Sequence, residues 1–173
     1  MKMKLFSKDY TKEEEALFAF LRTIPLFSNF NNHELFLCCE SIHLRNYKLN
    51  EVIFFQEDPA QALYIIKKGS VAIEIEHEGK SEVLKSFVAG ESFGHESLLK
   101  KPKRFASASC TSELADIYII PRVHLEYLSK KDARLKANLY ENLANFYGNY
   151  VSSIYQSYQQ AFGLFELSSA STV

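Results

Sequence analysis

No run of about 18 apolar residues occurs in the 173-residue chain, and no apolar h-region follows Met1; neither a membrane span nor a secretory leader is expected, and the expected location is the cytoplasm. Cysteine is scarce. Cys38, Cys39 and Cys110 make an odd number, two of them adjacent, so a disulfide framework is excluded, and no CxxC spacing offers a zinc site. The three are expected to be reduced core residues. An H-x-H pair is missing too, which excludes a cupin-type metal enzyme, and His33, His43, His77 and His124 are scattered without metal-ligand spacing. There is no G-x-S-x-G elbow and no cysteine in a helix-start, His-rich setting, so nucleophilic catalysis has no support. The chain is expected not to be an enzyme and to carry no cofactor or metal.

Charge of one sign is also lacking. A formal net charge of -1 and a pI near 6.5 leave no electrostatic footprint for nucleic acid. The one mildly basic stretch, with Lys2, Lys4, Lys8 and Lys12, runs straight into Glu13, Glu14 and Glu15. It reads as a solvated helix start, since membrane-surface attraction usually takes about 4–8 clustered cations. From Asp132 onward the charged residues are Asp132, Arg134, Lys136, Glu141 and Glu166, which make no DNA-binding surface, and only a short tail follows where a helix-turn-helix would have to fit.

What is present is a globular balance, 47% hydrophobic and 24% charged. The length suits one domain plus an extra helix. Thr11 and Glu14 form a capping-box pattern for a helix over Lys12–Leu21, with Leu17, Phe18 and Leu21 on one face and Pro25 beyond its end. Asn32 to Ser41 reads as a second short helix with Leu35, Leu37 and Cys38 inward. From Ile42 to Ile120 short β-branched or aromatic runs take over: His43–Tyr47, Glu51–Phe55, Leu63–Ile66, Val71–His77, Glu82–Phe87 and Leu114–Ile120, punctuated at Asn50, Asp58-Pro59, Gly69, Gly79 and Gly90. Val71, Ile73 and Ile75 alternate with Ala72, Glu74 and Glu76, which predicts a strand buried on the first set's side. Many short strands with tight turns predict an antiparallel β-roll or jelly roll, hence an α+β fold. Helical spacing returns at Val123–Lys130 and over Ala133 to about Phe162, where Leu135, Leu139, Leu143, Tyr147, Tyr150, Ile154 and Tyr158 form an apolar-aromatic stripe that must be covered. Gly148 predicts a bend in this helix. No internal repeat, heptad array or low-complexity block is found. The expected organisation is an N-terminal extension (1–11), a domain (12–130), a long C-terminal helix (131–162) and a flexible tail (163–173).

The chemistry is concentrated in Gly90-Glu91-Ser92-Phe93-Gly94-His95-Glu96-Ser97-Leu98-Leu99-Lys100-Lys101-Pro102-Lys103-Arg104-Phe105-Ala106-Ser107. A strand ends at a glycine, a helical turn follows, and a basic loop enters another strand. That order suits an anion: free N–H groups at the turn, a glycine that admits close backbone approach, and an arginine whose planar fork matches phosphate oxygens. Lys100, Lys101 and Lys103 would add attraction at the mouth.

This segment resembles the phosphate-binding cassette of the cyclic nucleotide-binding domain family, of the catabolite activator protein and protein kinase A regulatory subunit type. The family pattern is F-G-E-x-A-L followed by P-R-x-A-[ST], and Phe93, Gly94, Leu98, Arg104, Ala106 and Ser107 match it. Leu21–Phe27, Glu51–Ala60 and Leu63–Val71 are similar to the family's helical entry, acidic turn and next hairpin, so residues from about 17 to 130 are covered. The resemblance implies a β-roll, a ligand-binding set of Phe93, Gly94, His95, Glu96, Ser97, Leu98, Arg104, Phe105, Ala106 and Ser107, and cyclic AMP or cyclic GMP as regulatory ligand. Two positions depart. His95 stands where the family glutamate accepts from the ribose 2′-hydroxyl, a loss worth roughly 1.5–3 kcal/mol or one to two decades of affinity. Glu96 would serve instead only if the turn shifts, and Ser97 stands for the family alanine. Tyr140, Phe146 and Tyr147 are the candidates for an aromatic cap on the purine, and the long helix is expected to signal to a protein partner or to a second copy in a homodimer, with no nucleic acid or membrane partner. The alternative is a degenerate fold that has lost its ligand and serves as a protein-interaction scaffold.

Overall fold

Thr11 Oγ1 accepts from the Glu14 amide at 3.1 Å while Glu14 Oε2 accepts from the Thr11 amide at 2.7 Å, so the capping box forms and starts helix α1 (Lys12–Arg22). The computed structural model describes residues 9–77, 79–100 and 102–162. A 3-10 turn (Pro25–Phe27) follows, then α2 (Asn32–Cys39), whose cap is Asn31 with Glu34 closing a second capping box. Leu35 and Cys38 are buried as expected, whereas Leu37 is only half-buried.

Eight strands come next: β1 (His43–Lys48), β2 (Val52–Phe54), β3 (Ala62–Lys68), β4 (Ser70–His77), β5 (Lys80–Val88), β6 (Ser92–Phe93), β7 (Ser107–Cys110) and β8 (Leu114–Pro121). They pair antiparallel in two four-stranded sheets, β1-β8-β3-β6 and β2-β7-β4-β5, which is the expected β-roll. At the β3–β4 hairpin Gly69 has φ 88°, and a Cβ there would stand 2.6 Å from the Leu114 carbonyl oxygen. Only glycine fits both demands. Ala72, expected to face solvent, is buried at 2% exposure beside Val71. β4 is the middle of its sheet between β7 and β5, and a register shift between Ile73 and Glu74 breaks the simple alternation.

Strand β3 is buried along Ala62–Ile66 because both its faces are covered. Leu63 and Ile65 join Ile120 in a core shared with the helices, while Ala62, Tyr64 and Ile66 pack inside the roll with Phe54, Phe87 and Phe93 from other strands. After β8 come α3 (Arg122–Lys131) and α4 (Ala133–Phe162). Leu135, Leu139 and Leu143 bury one side of α4. Asn138 Nδ2 donates to the buried Glu34 carboxylate, and Asn142 Nδ2 donates to the Leu26 carbonyl at 2.9 Å, which docks this half against α2 and the 3-10 turn. The expected bend does not interrupt the helix, which runs unbroken through Gly148. Beyond it the stripe changes character, and Tyr150, Val151, Ile154, Tyr155 and Tyr158 are exposed. Tyr147, Val151, Ile154 and Tyr158 step by four, three and four, a short heptad-like seam that was not apparent in the sequence. The expected tail, 163–173, and all but the end of the expected N-terminal extension lie outside the described residues.

Candidate functional site

Two features of the chain bring the guanidinium of Arg104 against the cassette turn. Gly94, directly after β6, has φ 78°, and a Cβ there would lie 2.8 Å from Arg104 Nη1 and 3.1 Å from the Ala62 carbonyl oxygen. Residues 103–104 return along Glu57 and Asp58, where the Arg104 amide donates to the Asp58 carbonyl at 2.8 Å and the Glu57 amide to the Arg104 carbonyl at 2.9 Å. Arg104 is 1% exposed. Its Nη2 donates to the Ala62 carbonyl at 2.7 Å, and its Nη1 donates to the Gly94 carbonyl at 3.3 Å and to Glu96 Oε1 at 2.7 Å. The guanidinium carbon lies 4.0 Å from the Phe54 ring centroid and 5.3 Å from that of Tyr64, so aromatic faces flank the charge. Arg104 Nε and Ser97 Oγ are the buried side-chain polar atoms left without a hydrogen-bond partner among the described residues. Leaving a buried donor unpaired costs about 1–3 kcal/mol.

Beside this cluster is a cavity of about 160 Å³. Phe54, Ile73, Phe87 and Phe93 form its inner wall, and Gly94, His95, Glu96, Phe105 and Ala106 its cassette side. Leu84 and Lys85 of β5 and Phe146, Tyr147 and Tyr150 of α4 border the remainder. Arg104 and Ser97 are not on this lining; they lie behind Glu96 and its neighbours. The wall is therefore mainly aromatic, with Glu96 and Lys85 as its charged groups.

The turn itself is a single 3-10 turn over His95–Leu98. His95 is 4% exposed, its Nε2 is 3.0 Å from Ser92 Oγ, and its ring stacks on Phe146 with centroids 3.9 Å apart and planes 24° from parallel. Burial, with the Lys85 charge adding to it, pushes the imidazole pKa down to about 4, so the ring is neutral at pH 7. Phe93 is core and stacks on Tyr64 at 5.0 Å, yet also reaches the cavity. Leu98 packs into the helical core. Ala106 is a buried lining residue, and Phe105 is exposed at the rim. The Ser107 hydroxyl accepts from the Gln56 amide at 2.9 Å and is off the lining. Of the three cap candidates, Phe146 and Tyr147 border the cavity and Tyr140 does not. Burial, reinforced by Glu96, raises the Tyr147 pKa to about 12, so its hydroxyl stays protonated. Of the loop lysines, Lys103 pairs with Glu57 at 2.9 Å, and Lys101 lies outside the described residues.

Sequence reasoning missed Phe54, Ile73 and Phe87 of the inner wall, and Leu84, Lys85 and Tyr150. Tyr150 belonged to the helical stripe and could have been found there, but nothing local marks a lysine on a mostly exposed strand. Among the described residues no group of three or more His, Cys, Asp or Glu could hold a metal ion, and no helix is long and apolar enough to cross a membrane.

Comparison with known proteins agrees with this geometry. The family model for the cyclic nucleotide-binding domain matches residues 44–132. The cAMP-dependent protein kinase regulatory subunit of Emericella nidulans is 30% identical over 96 residues, 56% of this chain and 23% of that protein. The cyclic AMP receptor protein of Thermus thermophilus is 38% identical over 85 residues, 49% of this chain and 39% of its own length. The chain thus spans well under half of these curated relatives. Among solved structures, the catabolite activator protein of Thermus thermophilus superposes with a TM-score of 0.67 at 26% identity, covering 79% of this chain and 62% of that one. A cyclic nucleotide-binding domain from Methylobacillus flagellatus gives a TM-score of 0.70 at 21% identity over 90% and 87% of the two chains, a likeness of fold. With a family match over more than half its residues and a β-roll that carries the cassette at the cavity wall, the chain belongs to the cyclic nucleotide-binding domain family.

Proposed function

We propose that the chain is a non-catalytic regulatory module that binds a cyclic mononucleotide, cyclic AMP or cyclic GMP, with the cyclic phosphate at Arg104 and the purine toward the aromatic rings of the cavity. The observation that carries this reading is the buried guanidinium: two backbone carbonyls hold its Nη atoms in place while Nε has no partner. A fixed cation with a free donor beside an aromatic-walled cavity suits one phosphodiester charge and a flat base. The names of the relatives, a cAMP-dependent kinase regulatory subunit and a cyclic AMP receptor protein, support the ligand class.

Phe146 and Tyr147 border the cavity from α4, so a ligand there bears directly on that helix. The exposed seam on its outer half suits a second copy of this chain or a protein partner, and we take it as the signalling surface. Purified protein tests both parts. Cyclic AMP or cyclic GMP at about 1 mM should raise the melting temperature, more so as concentration rises, and Arg104→Ala should abolish the shift. Sedimentation should find a dimer that Ile154→Glu converts to monomer. One observation favours the second reading, a scaffold without ligand: Glu96 already meets the charge of Arg104. A melting temperature indifferent to both nucleotides would select it.

A further inference from the structure

Resting on the reading just given, we infer that Glu96 is a built-in competitor for the ligand phosphate, an internal carboxylate that occupies Arg104 until a cyclic nucleotide displaces it. Three observations combine. Glu96 Oε1 accepts from Arg104 Nη1 at 2.7 Å, in a pair whose side chains are 13% and 1% exposed. Glu96 lines the cavity, whereas Arg104 does not, so a ligand entering from the cavity meets the carboxylate before the guanidinium. Arg104 keeps its place without Glu96, because the Ala62 and Gly94 carbonyls and the Phe54 ring hold it independently. The glutamate is thus not needed to position the arginine, and its remaining effect is on charge. With both groups ionised the pair is neutral, and an incoming monoanion must replace one charge-assisted hydrogen bond with another rather than fill an empty cation site.

A second charged group shares the cavity wall. Lys85 lines the same cavity, and its own carboxylate neighbour, Glu91, is 3.9 Å away, a loose contact in which 45% of the lysine side chain and 39% of the glutamate side chain remain exposed. His95 takes no part in the exchange, since its ring is engaged by Ser92 and Phe146. This arrangement sets a threshold: low concentrations of nucleotide leave the internal pair intact, and only a ligand that adds aromatic contacts to its phosphate charge outcompetes a carboxylate that is tethered in place.

The test is isothermal titration of the whole chain with cyclic AMP, and in parallel cyclic GMP, for wild type, Glu96→Gln, Glu96→Asp and Arg104→Ala. Glu96→Gln keeps the shape and removes the charge, and it should bind about ten- to a hundredfold more tightly than wild type. Glu96→Asp, which keeps the charge on a shorter reach, should fall between the two. It also decides the matter should the glutamine variant fail to fold. Unchanged or weaker binding in the glutamine variant, or in the aspartate variant if that alone folds, overturns the inference, and weaker binding makes Glu96 a group that holds the ligand instead. If wild type and both Glu96 variants ignore the nucleotides, the ligand-binding reading fails and the competitor falls with it. Binding by wild type that only Arg104→Ala removes, with the Glu96 variants no tighter, leaves the function standing and sinks the competitor alone.

Discussion

Strand β3 separates two cores that are built differently. On its helical side Leu63 and Ile65 meet Phe18, Leu21, Leu35, Leu125, Leu135 and Leu139, a predominantly aliphatic cluster whose neighbouring polar groups are matched: Glu34 caps α2 and accepts from Asn138, and Asn142 donates to Leu26 and Asn29. On its roll side Tyr64 meets Phe54 and Phe93 around a buried arginine, with Arg104 Nε unmatched and a cavity alongside. The first side satisfies every requirement of a stable interior. The second leaves the Arg104 Nε without a protein partner and a cavity beside it.

The sharpest way to break this contrast is to make a cavity on the filled side. Leu139→Ala should lower stability by about 2–5 kcal/mol, read by denaturant unfolding, while the nucleotide-induced melting shift keeps its size. A comparable loss of the shift would mean that the two cores are not separable.

A smaller effect is expected from pH, and on the open side only. His95 has its pKa depressed from 6.5 to about 4 by burial, so the unfolded chain binds the extra proton first as pH falls. Stability is therefore full above pH 6.5 and declines between pH 6.5 and about 4, by roughly 1–3 kcal/mol. His95→Phe, which retains a ring against Phe146 but cannot titrate, should flatten the melting curve measured over that interval; an unaltered slope would place the titration elsewhere. Smallest is Thr11→Ala at the α1 cap, which should cost about 1 kcal/mol in thermal unfolding and leave ligand affinity untouched.

How much of this could be read in the chain depends on the range of the forces involved. The capping box at Thr11 and Glu14, the limits of α4 and the longer strands are set by neighbours three or four residues apart, and they were legible. Strands β6 and β7 were absent from the β-branched and aromatic runs and were legible only through the cassette, as the strand that ends at a glycine and the one the basic loop enters; Ser92–Phe93 and Ser107–Cys110 are short, and pairing with β3 and β4 makes them strands. The cassette showed itself through Gly94 and Arg104, whose meeting is local. His95 was read as a weaker stand-in for the family glutamate, and its stacking on Phe146, fifty-one positions away in the chain, was not legible. Lys85 reaches the cavity by the same kind of distant folding.

The unbroken course of α4 through Gly148 has a mechanical consequence. From Phe146, which touches the cassette, to Ala161 the helix extends about 22 Å at 1.5 Å per residue, with Leu84 and Lys85 of β5 beside its outer turns. Such a rod is a lever with one end against the cassette. A tilt of about 10° at Phe146, no more than a ring slipping across an imidazole, carries the far end through about 4 Å, nearly the width of a side chain. On the regulatory reading proposed above, motion too slight to disturb the roll would thereby be enlarged to a displacement that a neighbouring molecule can register.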